Sequence, residues 1–150
     1  FPTVFEEVMF GLRQQGRSKA EAAAAARRTL SVFGKSHWEQ APVHTLSQGQ
    51  KHLLCLMAVV AMAPRILILD EPFAGLDIPT KAQLASYLAL YDGAIVHITH
   101  DPADLAGYGE VVWLDAGRIC ATGPCGKVLP AYLDKMKRLG DADDISDLAR

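Results

Sequence analysis

Two short apolar runs, RILILD at residues 65–70 and AIVHIT at residues 94–99, flank a stretch with amphipathic helical spacing at residues 79–92. Continuous apolar runs this short, rich in Ile, Leu and Val, are expected of strands buried on both faces of a parallel sheet. A strand, a helix and a second strand in that order join by a right-handed crossover, so the pattern predicts a βαβ unit and an α/β fold.

The residues ahead of this unit read as helical. Helices are expected at residues 4–12 and 18–33, the second with Ser18 as its cap and Glu21 three residues on. GKSHWEQAPVHT, residues 34–45, is loop by its breakers and polar residues. A third helix should run from about Gln48 to Met62, with Pro64 ending it. Beyond the βαβ unit, EVVWLDAGRICATG alternates around Asp115-Ala116-Gly117 and predicts a β-hairpin. The last stretch, GDADDISDLAR, is acidic and expected to be loosely ordered.

Composition narrows the function classes. The chain has 150 residues, half of them apolar, 21% charged, with a formal net charge of -2. That is the profile of a soluble globular domain, and the scattered Lys and Arg argue against nucleic acid as the main partner. Cys55, Cys120 and Cys125 are odd in number and show no CxxC spacing, so neither a disulfide framework nor a structural zinc site is expected. The longest apolar stretch, residues 53–69, is cut by Pro64 and Arg65 before it could cross a bilayer as one helix. The chain opens at Phe1 on a segment that reads as the middle of a domain, so an upstream portion is expected.

In open parallel α/β sheets functional groups gather beyond the carboxyl ends of the strands. Asp70 and Glu71 stand at one such end and His100 at the next. An aspartate there can hold Mg²⁺, which takes oxygen ligands and keeps several waters. A neighbouring glutamate can orient or deprotonate an attacking water, and a histidine can hydrogen-bond a phosphate carrying transition-state charge. His97, two residues inside the strand, reads as core. A third element stands ahead of these: LSQGQ, residues 46–50, opens the helix leading into LILDEP, and its Ser47, Gly49 and following amides form a helix N-terminus able to take an anion.

LSQGQ, a helix, LILDEP, AGLD and ITHD, in that order within 56 residues, resemble the later part of an ATP-binding cassette (ABC) ATPase, and the resemblance covers essentially the whole chain. LSQGQ resembles the family signature, RILILDEP the Walker B strand, AGLD the D-loop and ITHD the switch-histidine loop. FPTVFEEV and DEPFAGLDIPT look most like energy-coupling-factor transporters, importers of vitamins and transition metal ions. The resemblance implies an α/β fold with a partial P-loop NTPase (RecA-like) parallel sheet core, preceded by an α-helical ABC subdomain. Residues 1–61 would be that subdomain, 62–136 the C-terminal half of the core, and 137–150 the acidic tail.

The implied roles are specific. Asp70 would coordinate the shell of Mg²⁺, Glu71 would polarise the hydrolytic water, His100 would contact the γ-phosphate, and Asp77 would organise a dimer interface. Ser47, Gly49 and Gln50 would close on the γ-phosphate of ATP bound mainly by an opposite subunit. A second ABC ATPase subunit, identical or not, and a transmembrane transporter subunit are the implied partners, with no nucleic acid. The place would be the cytoplasmic face of the cell membrane, peripherally bound.

The chain also departs from the family pattern. Gln48 stands where the signature most often has glycine, and no GxxxxGK[ST] loop, whose amides and lysine cradle phosphates, occurs in the chain. A Q-loop glutamine and an adenine-stacking aromatic are absent too. Gly34-Lys35-Ser36 lacks the upstream glycine and follows a helix, so it does not read as a phosphate loop. Alone, the chain is expected to be inactive, and its sheet to expose an edge and apolar faces. Two other functions fit the fold: a non-hydrolytic cassette remnant that pairs with a complete one, and a soluble ABC ATPase not involved in transport.

Overall fold

The computed structural model describes residues 2–105 and 107–142. The chain divides into two compact units between His100 and Asp101.

The first unit opens with three helices, each started by a reciprocal pair of cap bonds. Helix α1 (Val4–Gln14) has Thr3 and Glu6, α2 (Lys19–Val32) has Ser18 and Glu21, and α3 (Gln48–Ala61) has Ser47 and Gln50. In each, the hydroxyl accepts from the third residue's N–H while that residue's side chain accepts from the cap N–H, which satisfies two donors that a helix start leaves orphaned. Val4, Val8 and Leu12 recur every four residues on α1, and Ala22, Ala26 and Leu30 do so on α2, giving each helix one buried face. Short 3₁₀ turns at Ser36–Trp38 and Val43–Thr45 carry the chain from α2 to α3.

Strand β1 (Ile66–Asp70), helix α4 (Ile78–Ala89) and strand β2 (Ala94–Ile98) then form the expected strand–helix–strand unit. The two strands pair in parallel, Ile66 with Ala94 through Asp70 with Ile98. Leu67 and Leu69 point into a core shared with Leu53, Met57 and Val60 of α3 and Leu84 and Leu88 of α4. Ile66 and Ile68 point the other way and are 61% and 68% exposed, as are, to nearly half, Val96 and Ile98. The expectation that RILILD is buried on both faces is therefore corrected: burial alternates along β1, because one face alone is covered among the described residues. The apolar open face agrees with the expectation that the sheet would expose one.

The second unit pairs β3 (Glu110–Asp115) with β4 (Arg118–Pro124) in the antiparallel hairpin read from the sequence. Ala116 and Gly117, at φ 47° and 73°, supply the two left-handed residues of its tight loop. Helix α5 (Cys125–Ala142) follows, with Tyr132 edge-on to Trp113 and Lys135 paired with Asp115. Residues 137–142, read from the sequence as the start of the tail, continue this helix; residues 143–150 lie outside the described residues. The three cysteines are free thiols, and no described helix is long and apolar enough to cross a membrane.

Candidate functional site

The chain leaves β1 through Asp70 and turns at once. Glu71 N–H donates to the Ile98 carbonyl at 2.9 Å, extending the strand pairing by one bond, and Glu71 itself takes a left-handed backbone, φ 48°. A residue with a side chain avoids that region unless its surroundings hold it there, and such residues cluster at functional sites. One carboxylate oxygen, Oε1, accepts from the backbone N–H of His100 at 2.9 Å and from its ring Nδ1 at 2.7 Å. An ionised carboxylate only accepts, so the ring carries its proton on Nδ1. This ring bond, more than any other influence, holds the Glu71 carboxyl below its ordinary range, with burial opposing it. The structure thus brings Glu71 and His100 together and leaves Asp70 beside them on the open face of the sheet. His97 faces the other way, edge-on to Phe73.

Ser47, Gly49, Gln50 and Asp77 meet in a separate cleft of about 210 Å³. One wall is the start of α3 and the other is the loop Gly75–Asp77, which runs from the Glu71 turn into α4. The walls touch at Gly49, where a side-chain carbon would lie 2.5 Å from the Gly75 carbonyl oxygen. Asp77 caps α4 by accepting from Thr80 N–H at 2.8 Å. Bonding from Thr80, from its side chain foremost and then from this N–H, lowers the Asp77 pKa, with a smaller contribution from Lys35. Ser47 and Gln50 are engaged with each other in the α3 cap, at 2.8 and 3.3 Å.

Three residues here were not among the candidates read from the sequence. Lys35 and Trp38 line the cleft from the 3₁₀ segment, the ammonium 5.1 Å from the indole ring centre. The Gly34-Lys35-Ser36 run follows α2, and its lysine lines the same cleft as the start of α3. His52, one turn into α3, bonds the Pro72 carbonyl at 3.0 Å.

Comparison with known proteins joins these pieces. The family model described as ABC transporter matches residues 2–74. The biotin transport ATP-binding protein BioM of Rhodobacter capsulatus is 44% identical over 142 residues, which are 95% of this chain and 61% of that protein. This chain belongs to the ABC transporter ATPases. The cobalt import ATP-binding protein CbiO of the same organism is 40% identical over 131 residues, 85% of this chain and 47% of that protein. The solved structure of cbiO1 from Clostridium perfringens, part of the ABC transporter complex cbiONQ, superposes with a TM-score of 0.71 at 29% identity, covering 85% of this chain and 53% of that one. The α/β fold is that of ABC ATPases, and the chain spans roughly half to three-fifths of the length of these relatives.

Proposed function

We propose that this chain is part of the ATP-binding and ATP-hydrolysing subunit of a membrane transporter, an energy-coupling-factor importer of a vitamin or a metal ion. The observation that carries the reading is the Glu71–His100 pair at the ends of two parallel strands, where a carboxylate held ionised stands beside an imidazole. In this reading Glu71 accepts the proton of the hydrolytic water and His100 contacts the γ-phosphate. The names of the relatives, which include biotin, cobalt and nickel import proteins, support the substrate class.

Asp70 is assigned to Mg²⁺. Among the described residues no cluster of three or more His, Cys, Asp or Glu forms a cage. That suits this cation, which takes one or two carboxylates and completes its shell with water and substrate phosphate oxygens. At about 210 Å³ the cleft is smaller than the roughly 300–1,000 Å³ of sites that enclose a whole small ligand. It suits a terminal phosphate presented by another chain, so Ser47, Gly49 and Gln50 are assigned to ATP held mainly by a second ABC ATPase subunit, identical or not, with Asp77 at that interface. The amides opening α3 supply the anion-binding end.

The further partner is a transmembrane subunit, and the place is the cytoplasmic face of the membrane. Residues 1–61 are assigned to the helical subdomain and 62–136 to the C-terminal half of the ATPase core. These 150 residues hold no phosphate-cradling loop, and the chain by itself is assigned no turnover.

The test is ATP hydrolysis by the ATPase isolated with its own subunits. Glu71→Gln is expected to keep ATP binding and to lower turnover by about 100-fold or more, since the proton acceptor goes while the phosphate contacts stay. Turnover near the unmutated rate would remove Glu71 from this role. A wild-type assembly that binds ATP without hydrolysing it would instead mark a non-hydrolytic cassette.

A further inference from the structure

The left-handed turn at Glu71 is held from three directions. From β2 come the Ile98 carbonyl and the two His100 donors. From the turn itself comes Ala74 N–H, donating to the Glu71 carbonyl at 3.1 Å. The third direction is α3: His52 Nε2 meets the carbonyl oxygen of Pro72 at 3.0 Å. A carbonyl can only accept, so this ring nitrogen carries a proton and donates. Pro72 is fully buried, and a buried carbonyl needs a donor. The chain supplies it from a side chain 20 residues earlier.

We propose that His52 is a positioning residue that ties the helix bearing Ser47, Gly49 and Gln50 to the turn bearing Glu71, so that movement of the one is felt at the other. The proposal rests on the function proposed above. Two contacts join the same segments at different points: Gly49 against the Gly75 carbonyl at the helix start, and His52 on the Pro72 carbonyl one turn further in. The Gly49 contact is steric and resists approach; the His52 bond resists separation. A phosphate drawing on the α3 amides therefore pulls, through His52, on the peptide next to Glu71.

The experiment compares His52→Ala, His52→Asn and His52→Gln in the ATPase isolated with its own subunits, with Glu71→Gln alongside. Glutamine can place an N–H where His52 Nε2 stands, and asparagine falls short. We expect kcat to fall about tenfold or more in the Ala and Asn variants, with KM for ATP within about twofold, and the Gln variant to retain most of the rate; loss of position of an ångström is worth up to about 100-fold. Should the Ala variant fail to fold, the Asn and Gln pair decides the matter. Equal rates in Asn, Gln and wild type, or an equal loss in Asn and Gln, would overturn the proposal, the latter by making ring volume the cause. If Glu71→Gln turns over normally, the function proposed above falls and this proposal with it.

Discussion

Replacing Gly49 with alanine sets two opposing effects against each other at one atom. A Cβ at Gly49 would stand 2.5 Å from the Gly75 carbonyl oxygen, closer than the 3.0 Å that real Cβ contacts respect. The obstacle is backbone, so relief requires the start of α3 and the loop before α4 to part by most of an ångström. Against that, alanine is favoured over glycine inside a helix by about 1 kcal/mol, less in the first turn. Overpacking of this kind costs about 1–3 kcal/mol, which against a first-turn gain of about 0.5 kcal/mol leaves a net loss of about 0.5–2.5 kcal/mol for Gly49→Ala. Gly126, near the start of α5, has nothing within 4 Å of its would-be Cβ, and alanine there should be neutral or stabilise by about 0.5 kcal/mol. Urea unfolding followed by Trp38 fluorescence in a Trp113→Phe background reads the first unit, because Trp38 lines the cleft. A Gly49→Ala midpoint at or above that of the parent would refute the reasoning, since it would mean that the loop yields without cost and that the close approach does not fix the cleft.

Neighbouring residues of β1 should respond in opposite ways in the same assay. Leu69→Ala removes a side chain that is 4% exposed and should cost about 2–5 kcal/mol, whereas Ile68→Thr, on the open face at 68% exposure, should stay within about 0.5 kcal/mol; similar losses in both would mean that the open face is covered in solution. His100→Ala should raise the pKa of Glu71 towards the ordinary carboxylate range of about 4, read by carboxyl NMR titration. Because the folded value is lowered, the stabilisation that this pair gives is full above the ordinary range and is lost as pH falls through the lowered value, so the variant should lose less stability than the parent as the pH falls below about 5. An unchanged Glu71 titration would show that the ring bond does not set its acidity.

Local rules made much of this fold legible. Ser18 with Glu21 gave the start of α2 to within a residue, and Asp115-Ala116-Gly117 located the hairpin loop, because caps and left-handed turns depend on a few adjacent residues. Residues 66–70 were misread for a physical reason: a continuous apolar run reports what the side chains are, while burial on a second face depends on a second layer, which no property of the strand itself encodes. The strand ends placed Asp70, Glu71 and His100 as candidates, since the order of a βαβ unit sets which ends coincide. His52 was invisible because it sits where a helix pattern already accounts for it, and its partner is a backbone carbonyl, which leaves no trace in residue identity. Lys35 and Trp38 reach the cleft only through the path of the 3₁₀ segment.

The Glu71–His100 pair places a condition on the proposed chemistry. A general base works best when its proton affinity lies near the working pH, yet here the ring bond lowers the affinity of Glu71 more than any other influence. The same oxygen also holds the backbone N–H of His100. If the ring turned to another acceptor, the largest lowering effect would go and the backbone bond would remain, leaving the carboxylate in position with a higher proton affinity. The ring is 85% exposed, within reach of an anion arriving from solvent. An anionic phosphate is the acceptor best able to draw an N–H away from a carboxylate, since it offers equal or greater charge. In the proposed assignment, arrival of the phosphate at His100 and the rise in basicity of Glu71 are one event, and a cassette without nucleotide keeps its base both positioned and weak.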